Sequence, residues 1–227
     1  MNRLGHIALS LVLAFGGLSV SATTLAQINA DPDPAPARLA EREVFGFLPY
    51  WELARAASID FGVLTTLAWF GVEASRDGQL IRGDADGEPA RGWADWTSDD
   101  FAAVQEQARA AGVRVVLTVE RFSWTTAGKR ATKRLLRDPV ARKTLAGEIA
   151  EAVAEADADG VNLDFEPLPQ SVRGEFVRLV RAVRRALDAV DRSLQLTFDL
   201  TPDVASFPLR RLVADDAADA AVLMGYE

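Results

Sequence analysis

From Val44 onward, short apolar runs alternate with longer stretches whose apolar residues recur every three or four positions. The short runs read as strands and the longer ones as amphipathic helices. Strands are expected at 44–48, 64–72, 113–119, 159–166, 194–200 and 221–226. Thr97 or Ser98 caps a helix to about Ala111, with Phe101, Val104 and Ala108 inward and Gly112 closing it. Asp138-Pro139 starts another, with Asp as cap and Pro at the first position, running to about Ala156. Val172, Phe176, Leu179, Val180, Val183, Leu187 and Val190 mark a third. Leu209 to Val213 reads as a short helix. Asp77-Gly78 is a turn signal, and the polar stretch from there to Trp96 is expected to be a long loop.

Strands alternating with helices imply parallel βαβ units. No glycine-rich phosphate loop follows the first strand, which argues against a nucleotide-binding doubly wound sheet. One strand departs from the ordinary. In Asp159-Gly160-Val161-Asn162-Leu163-Asp164-Phe165-Glu166, the residues Gly160, Asn162, Asp164 and Glu166 share one parity. Val161, Leu163 and Phe165 hold the other. Alternate residues of a strand point to opposite faces, so one face is apolar and the other carries two carboxylates and an amide. Such a face fits the inside of a barrel, near the C-terminal ends of its strands. The expected fold class is α/β, an incomplete (β/α)8 TIM barrel with about six βα units. From Val44 to the last residue there are 227 − 43 = 184 residues, against roughly 250 for a full barrel. About two units are expected to be missing.

Composition narrows the chemistry. There is no cysteine, and the only histidine is His6. Residues 1–26 read as a signal peptide: Arg3 is the positive start, Ile7 to Val20 the apolar stretch, and small residues near Ala22 and Ala26 offer cleavage sites. The apolar stretch is short for a membrane span, and an uncleaved anchor is the alternative reading. Residues 27–43 form a proline-rich linker, since alternating prolines build neither helix nor central strand. The folded part, 44–227, would then hold no histidine. Thiol nucleophiles, Ser-His-Asp triads and histidine metal sites are excluded. The expected location is secreted, periplasmic or in the cell envelope, with no membrane contact after signal removal. The net charge of -8 makes nucleic acid a poor partner. The arginines after Ser171 read as a solvated helix face. No residue pattern sets an oligomeric state.

Asp164 and Glu166 lie two residues apart, so their backbone positions are roughly 7 Å apart on one face. Two crowded carboxyls are expected to split their pKa values, one up and one down, as glycoside hydrolysis requires. Glu166 lies nearer the strand end and is assigned as proton donor, with Asp164 as its charged partner. On the residues alone, buried ion pairs with arginines, a hard-metal site or a glycan-binding barrel also stay open.

The run from Asp159 to Glu166 resembles the D-G-x-D-x-D-x-E signature of glycoside hydrolase family 18, the chitinases and related N-acetylglucosaminidases. Phe47-Leu48-Pro49-Tyr50-Trp51 resembles the first strand of the branch that includes spore-cortex peptidoglycan hydrolases. Leu223-Met224-Gly225-Tyr226-Glu227 resembles the family's M-x-Y-D motif. The resemblance implies a retaining, substrate-assisted mechanism without cofactor or resident metal, on a polysaccharide containing N-acetylglucosamine. Glu166 would protonate the glycosidic oxygen, the substrate's own 2-acetamido oxygen would attack, and Asp164 would orient and stabilise it. Tyr226 would bond the acetamido group, with Met224 and Glu227 beside it. Asp159 and Gly160 would shape the start of the strand. Tyr50, Trp51 and Trp69 are candidate sugar platforms, and Asn162, where the family most often has Asp, would bond Asp164. Peptidoglycan is favoured over chitin because the third strand lacks S-x-G-G. The family's tryptophan floor, on its eighth strand, falls beyond this chain.

Overall fold

A computed structural model describes residues 43–84, 86–212 and 217–225. Six strands form one sheet: β1 (Phe45–Pro49), β2 (Thr66–Glu73), β3 (Arg114–Glu120), β4 (Gly160–Asp164), β5 (Gln195–Leu200) and β6 (Ala220–Leu223). All pairings are parallel and the spatial order is the chain order. A doubly wound sheet reverses direction part-way across, whereas this order winds one way, as in a barrel. The helices between strands are α1 (Arg91–Trp96), α2 (Asp99–Ala110), α3 (Thr126–Arg137), α4 (Pro139–Glu155), α5 (Arg173–Val190) and α6 (Leu209–Leu212). Six parallel strands with interleaved helices make the expected partial (β/α)8 barrel.

Local chemistry sets the ends of several elements as expected. Ser98 accepts from the Phe101 N–H at 3.1 Å to open α2, and Gly112, at φ +72°, follows its close. Asp138 accepts from the Val140 N–H at 2.8 Å ahead of Pro139, opening α4. The expected long loop after Asp77 holds two isolated β-bridges and α1. Helix α3 went unread, because of its twelve residues only Thr132, Leu135 and Leu136 are buried. That face is too narrow to leave a clear period.

The strands are dry on their outer face. Leu67 and Trp69 of β2, Leu117 and Val119 of β3, Val161 and Leu163 of β4 and Phe198 of β5 pack into the helix layer. Trp69 is fully buried there, stacked 4.3 Å from Phe101, with its indole N–H donating to the Gly92 carbonyl at 3.1 Å. Phe176 of α5 gathers Phe165, Phe198 and Phe207 at ring distances of 5.5, 6.2 and 6.1 Å.

The inner face is polar and curls on itself. Glu43, just before β1, accepts hydrogen bonds from Thr66 of β2 at 2.6 Å, Arg114 of β3 at 2.8 Å and Gln195 of β5 at 2.9 Å. In a flat sheet β1 and β5 would be roughly 19 Å apart, four spacings of about 4.8 Å. A direct side-chain bond between them requires the sheet to bend towards a barrel. One carboxylate thus ties the N-terminal floor of four strands.

The charge on Glu43 should be worth stability. Burial alone would raise its pKa, but the bonds from Thr66, Gln195 and Arg114 hold it below the usual carboxylate range. A depressed folded pKa stabilises above the unfolded value of about 4.3, and the gain is lost as pH falls through the folded value. We expect Glu43→Gln to lower the unfolding free energy at pH 7 by about 2 kcal/mol in urea titrations. That is less than for a fully buried pair, since Glu43 and Arg114 keep 15% and 17% side-chain exposure. The difference from wild type should close as pH drops below 4. A constant difference at all pH values would assign the loss to packing.

Candidate active site

The C-terminal ends of the strands open into a cleft of about 520 Å³. Strand β4 is aimed there by its first residues. Asp159 accepts from the Val115 N–H at 2.7 Å and ties the start of β4 to β3. Gly160 has φ +151°, and a Cβ there would sit 2.1 Å from the Gln195 carbonyl oxygen. Only glycine lets β5 come that close. The strand then delivers Asn162, Asp164 and, just past its end, Glu166. The backbone carbonyls of Asp164 and Glu166 accept from Arg121 and Ser123 N–H groups, each at 2.7 Å.

Asp164 and Glu166 line the cleft together, as expected. Asp199 of β5 joins them, with Thr201 and Pro202 beyond it. Phe47, Pro49 and Phe70 form the apolar wall, and Trp51 and Trp124 stand at its rim, 54% and 66% exposed. Met224, after β6, completes the lining. Tyr226 and Glu227 lie outside the described residues, as does the whole of 1–42. Among the described residues, no three of His, Cys, Asp or Glu form a metal-binding group, and no helix is long and apolar enough to cross a membrane.

Three expected placements change. Trp69 is not at the cleft, because its parity turns it outward into the helix layer. Tyr50 sits beside the cleft rather than on it, edge-on to Trp51 with ring centroids 4.9 Å apart and under the Arg91 guanidinium at 5.8 Å. Asn162 does not bond Asp164. Its amide donates to Asp199 Oδ2 at 2.8 Å, and its carbonyl accepts from Thr197 at 2.8 Å. Asp199 and Trp124 were missed from sequence. Gln195, Thr197, Asp199 and Thr201 alternate with Leu196, Phe198 and Leu200, the same polar–apolar pattern that singled out β4. That pattern was available. Trp124 carries no periodic signal, since it stands in a connection.

The electrostatics also differ from a split pair. Burial raises the Glu166 carboxyl. Asp164 is raised to about 9, first by burial and then by the charges of Asp199, Glu166 and Glu120. Asp199 is raised to about 7 by burial and Glu166, with the Asn162 bond opposing. No member falls, because the nearby Arg121 is turned to Glu73 and to the Ala74 carbonyl. Burial and the surrounding acids thus push the Asp164 carboxyl toward its neutral form, the opposite direction from the charged partner expected.

Scanned against protein-family models and against curated protein sequences, the chain finds no match. Solved structures do match. A chitinase from Bacteroides thetaiotaomicron superposes with a TM-score of 0.64 at 19% identity, covering 83% of this chain and 55% of that one. The Bacillus cereus spore cortex-lytic enzyme gives 0.62 at 19%, covering 82% and 42%. A mutant family 18 chitinase from Cycas revoluta, in complex with (GlcNAc)4, gives 0.64 at 19%, covering 80% and 54%. The fold is that of the family 18 chitinases. The family resemblance read from short motifs thus holds at the level of the fold, which the chitinases and the spore cortex-lytic enzyme share. The chain spans about half the length of these structures.

Groups whose pKa rises on folding add stability below their unfolded value, and that gain is lost as pH rises through the folded value. Asp164, Asp199 and Glu120 are all raised. We expect the urea midpoint to fall as pH rises from 5 to 9, and Asp164→Asn to flatten that fall. A midpoint that climbs over this range would contradict the cluster's electrostatics.

Proposed function

We propose that this chain carries the catalytic half-site of an exported glycosidase. It cleaves β-1,4-linked N-acetylglucosamine glycans with retention, by substrate-assisted acid catalysis. The observation that carries this reading is the pairing of Glu166 with Asp164 at the base of an aromatic-rimmed cleft, in a protein without usable histidine or cysteine. Glu166 is half-buried, and desolvation raises its carboxyl above the usual range, the direction a general acid needs. Its position just past β4 turns it to the mouth of the cleft.

In the proposed reaction Glu166 gives its proton to the glycosidic oxygen as the C1–O bond breaks. The 2-acetamido oxygen of the same sugar forms a bond to C1 from the opposite face. A positively charged oxazolinium-type ring results, and Asp164 faces it. Water then attacks C1 from the face the leaving group vacated, the bond from C1 to the acetamido oxygen breaks to restore the acetamide, a water proton passes to Glu166, and the configuration is retained. Trp51 and Trp124 offer flat apolar faces to neighbouring sugars. Tyr226 and Glu227 would bond the acetamido-bearing sugar beside Met224. Peptidoglycan or a related wall glycan is favoured over chitin, on the motif of the first strand and the lack of S-x-G-G on the third.

The alternative is a glycan-binding barrel that no longer cleaves. Retention of a desolvated acid beside Asp164 favours the enzyme, because binding alone needs no proton donor. Incubation with chitin oligomers and with peptidoglycan, followed by assay of new reducing ends, separates the two. We expect cleavage, and tight binding without product would establish the alternative. Glu166→Gln should lose on the order of 10² to 10⁴ in kcat while still binding glycan. Undiminished turnover in that variant would falsify the assignment. Plain β-1,4-glucan, which lacks the acetamido nucleophile, should not be cut at all.

A further inference from the structure

The cations of this acidic chain are not spread evenly. Helix α3 holds Lys129, Arg130, Lys133, Arg134 and Arg137 and no acid. Across residues 129–143 seven cations face one acid, Asp138, in a chain of net charge -8. Lys129, Lys133 and Arg137 follow one another at four-residue spacing, and Arg130 and Arg134 stand in a parallel row. Like charges so placed repel and weaken a helix. A solvated charged helix ordinarily interleaves both signs. The fold offsets little of this repulsion. Arg134 pairs with Asp77 at 2.9 Å. Among the described residues, Lys129, Arg130, Lys133 and Arg137 have no ion pair.

The placement of this charge is as telling as its amount. Trp124 stands at the cleft rim, and the next residue, Thr125, caps α3 by accepting from the Gly128 N–H at 3.0 Å. Helix α3 therefore starts at the rim and carries its cations away from it, over the roughly 18 Å that twelve residues span. Its far end meets α4, where the Arg142 guanidinium donates to the Leu136 carbonyl. There a groove of about 580 Å³ opens between α4 and α5. Arg142, Lys143, Arg178 and Arg185 line it, with Ala146 and Gly147 leaving room beside the backbone. Glu175 is turned to Arg178 at 3.4 Å. Burial and then the Arg178 charge lower the pKa of Arg142, with Glu175 and Asp138 opposing. These helices belong to the units of β3 and β4, in the middle of the sheet order and away from both of its edges.

We infer that the rim at Trp124, the outer face of α3 and the α4–α5 groove form one docking track for a glycan strand that carries carboxylates. The sugar backbone of that strand rests on the glycosidase reading, while the call for negative charge does not. Lysines and arginines in a row suit anionic groups repeated along a polymer, and the guanidinium forks match carboxylate oxygens. An elongated path that continues from a cleft fits a chain better than a compact ion. A lipid surface fits less well, because the exposed residues of α3 include no large apolar side chain to enter it. The track lies outside the cleft and takes no part in the bond cleavage. It holds the strand beyond the reacting sugar and selects acidic strands over neutral ones.

The test compares two soluble polymers of matched length and the same backbone, carboxymethyl chitin and neutral glycol chitin. Affinity is measured with the full chain carrying Glu166→Gln, so that bound polymer stays whole. We expect the acidic polymer to bind about tenfold tighter at low ionic strength, a few exposed charge pairs' worth, with the preference shrinking as salt is added. Lys129→Gln, Arg130→Gln and Lys133→Gln together should remove most of that preference and leave neutral-polymer binding in place. The same change relieves like-charge repulsion, so the urea midpoint should hold or rise, whereas cations that serve only the fold would lower it. Lys143→Gln with Arg185→Gln tests the groove separately. Equal affinity for the two polymers, or a preference that survives both folded variants, overturns the track. So does binding to phosphatidylglycerol vesicles with no preference for the acidic polymer, which would assign the face to lipid. If wild type frees no reducing ends from either polymer, the glycosidase reading fails, while the affinities still decide the docking track.

Discussion

Carboxylates on adjacent strands of a curled parallel sheet repel one another, and burial removes the water that would otherwise screen them. The inner face of this sheet carries Glu73, Glu120 and Asp164 in a row, with Glu166 and Asp199 close by. Among the described residues, Arg121 offsets Glu73 and Asn162 offsets Asp199. Burial and mutual repulsion push the remaining acids toward their neutral forms. That makes the folded protein less tolerant of alkali.

The rest of the fold bears that cost. Outside the sheet, Trp69, Phe101 and the Phe176 cluster form a dry layer that holds the strands in place. At the opposite end, Glu43 is stabilised by three donors and remains ionised. The two ends of the inner face thus treat the same functional group in opposite ways. At the floor, donors outnumber acids and the carboxylate pKa falls. At the cleft, acids outnumber donors and it rises.

Much of this was legible along the chain. All six strands, the caps of α2 and α4, and the glycine and carboxylates of β4 follow from local pattern and local chemistry. Asp199 stands on a strand whose polar–apolar parity equals that of β4, so its place on the inner face is legible along the chain too. Helix α3 escaped because two leucines and a threonine are all it buries. The misplacement of Trp69 has a different origin. Aromatic residues suit a sugar platform and a core equally, and only the parity of β2 within the sheet separates the two.

What the amino-acid order determined by itself is the division of each strand into a wet and a dry side, because a two-residue period is a property of the backbone. It also narrowed the chemistry, because residues 44–227 encode neither histidine nor cysteine. Which acids meet was decided by tertiary structure. Glu120 and Asp164 are 44 residues apart, and they become neighbours only through strand register, a bulge at Gly71 and the bend of the sheet. Those depend on how helices pack on the outer face, and no local period along the chain records that packing.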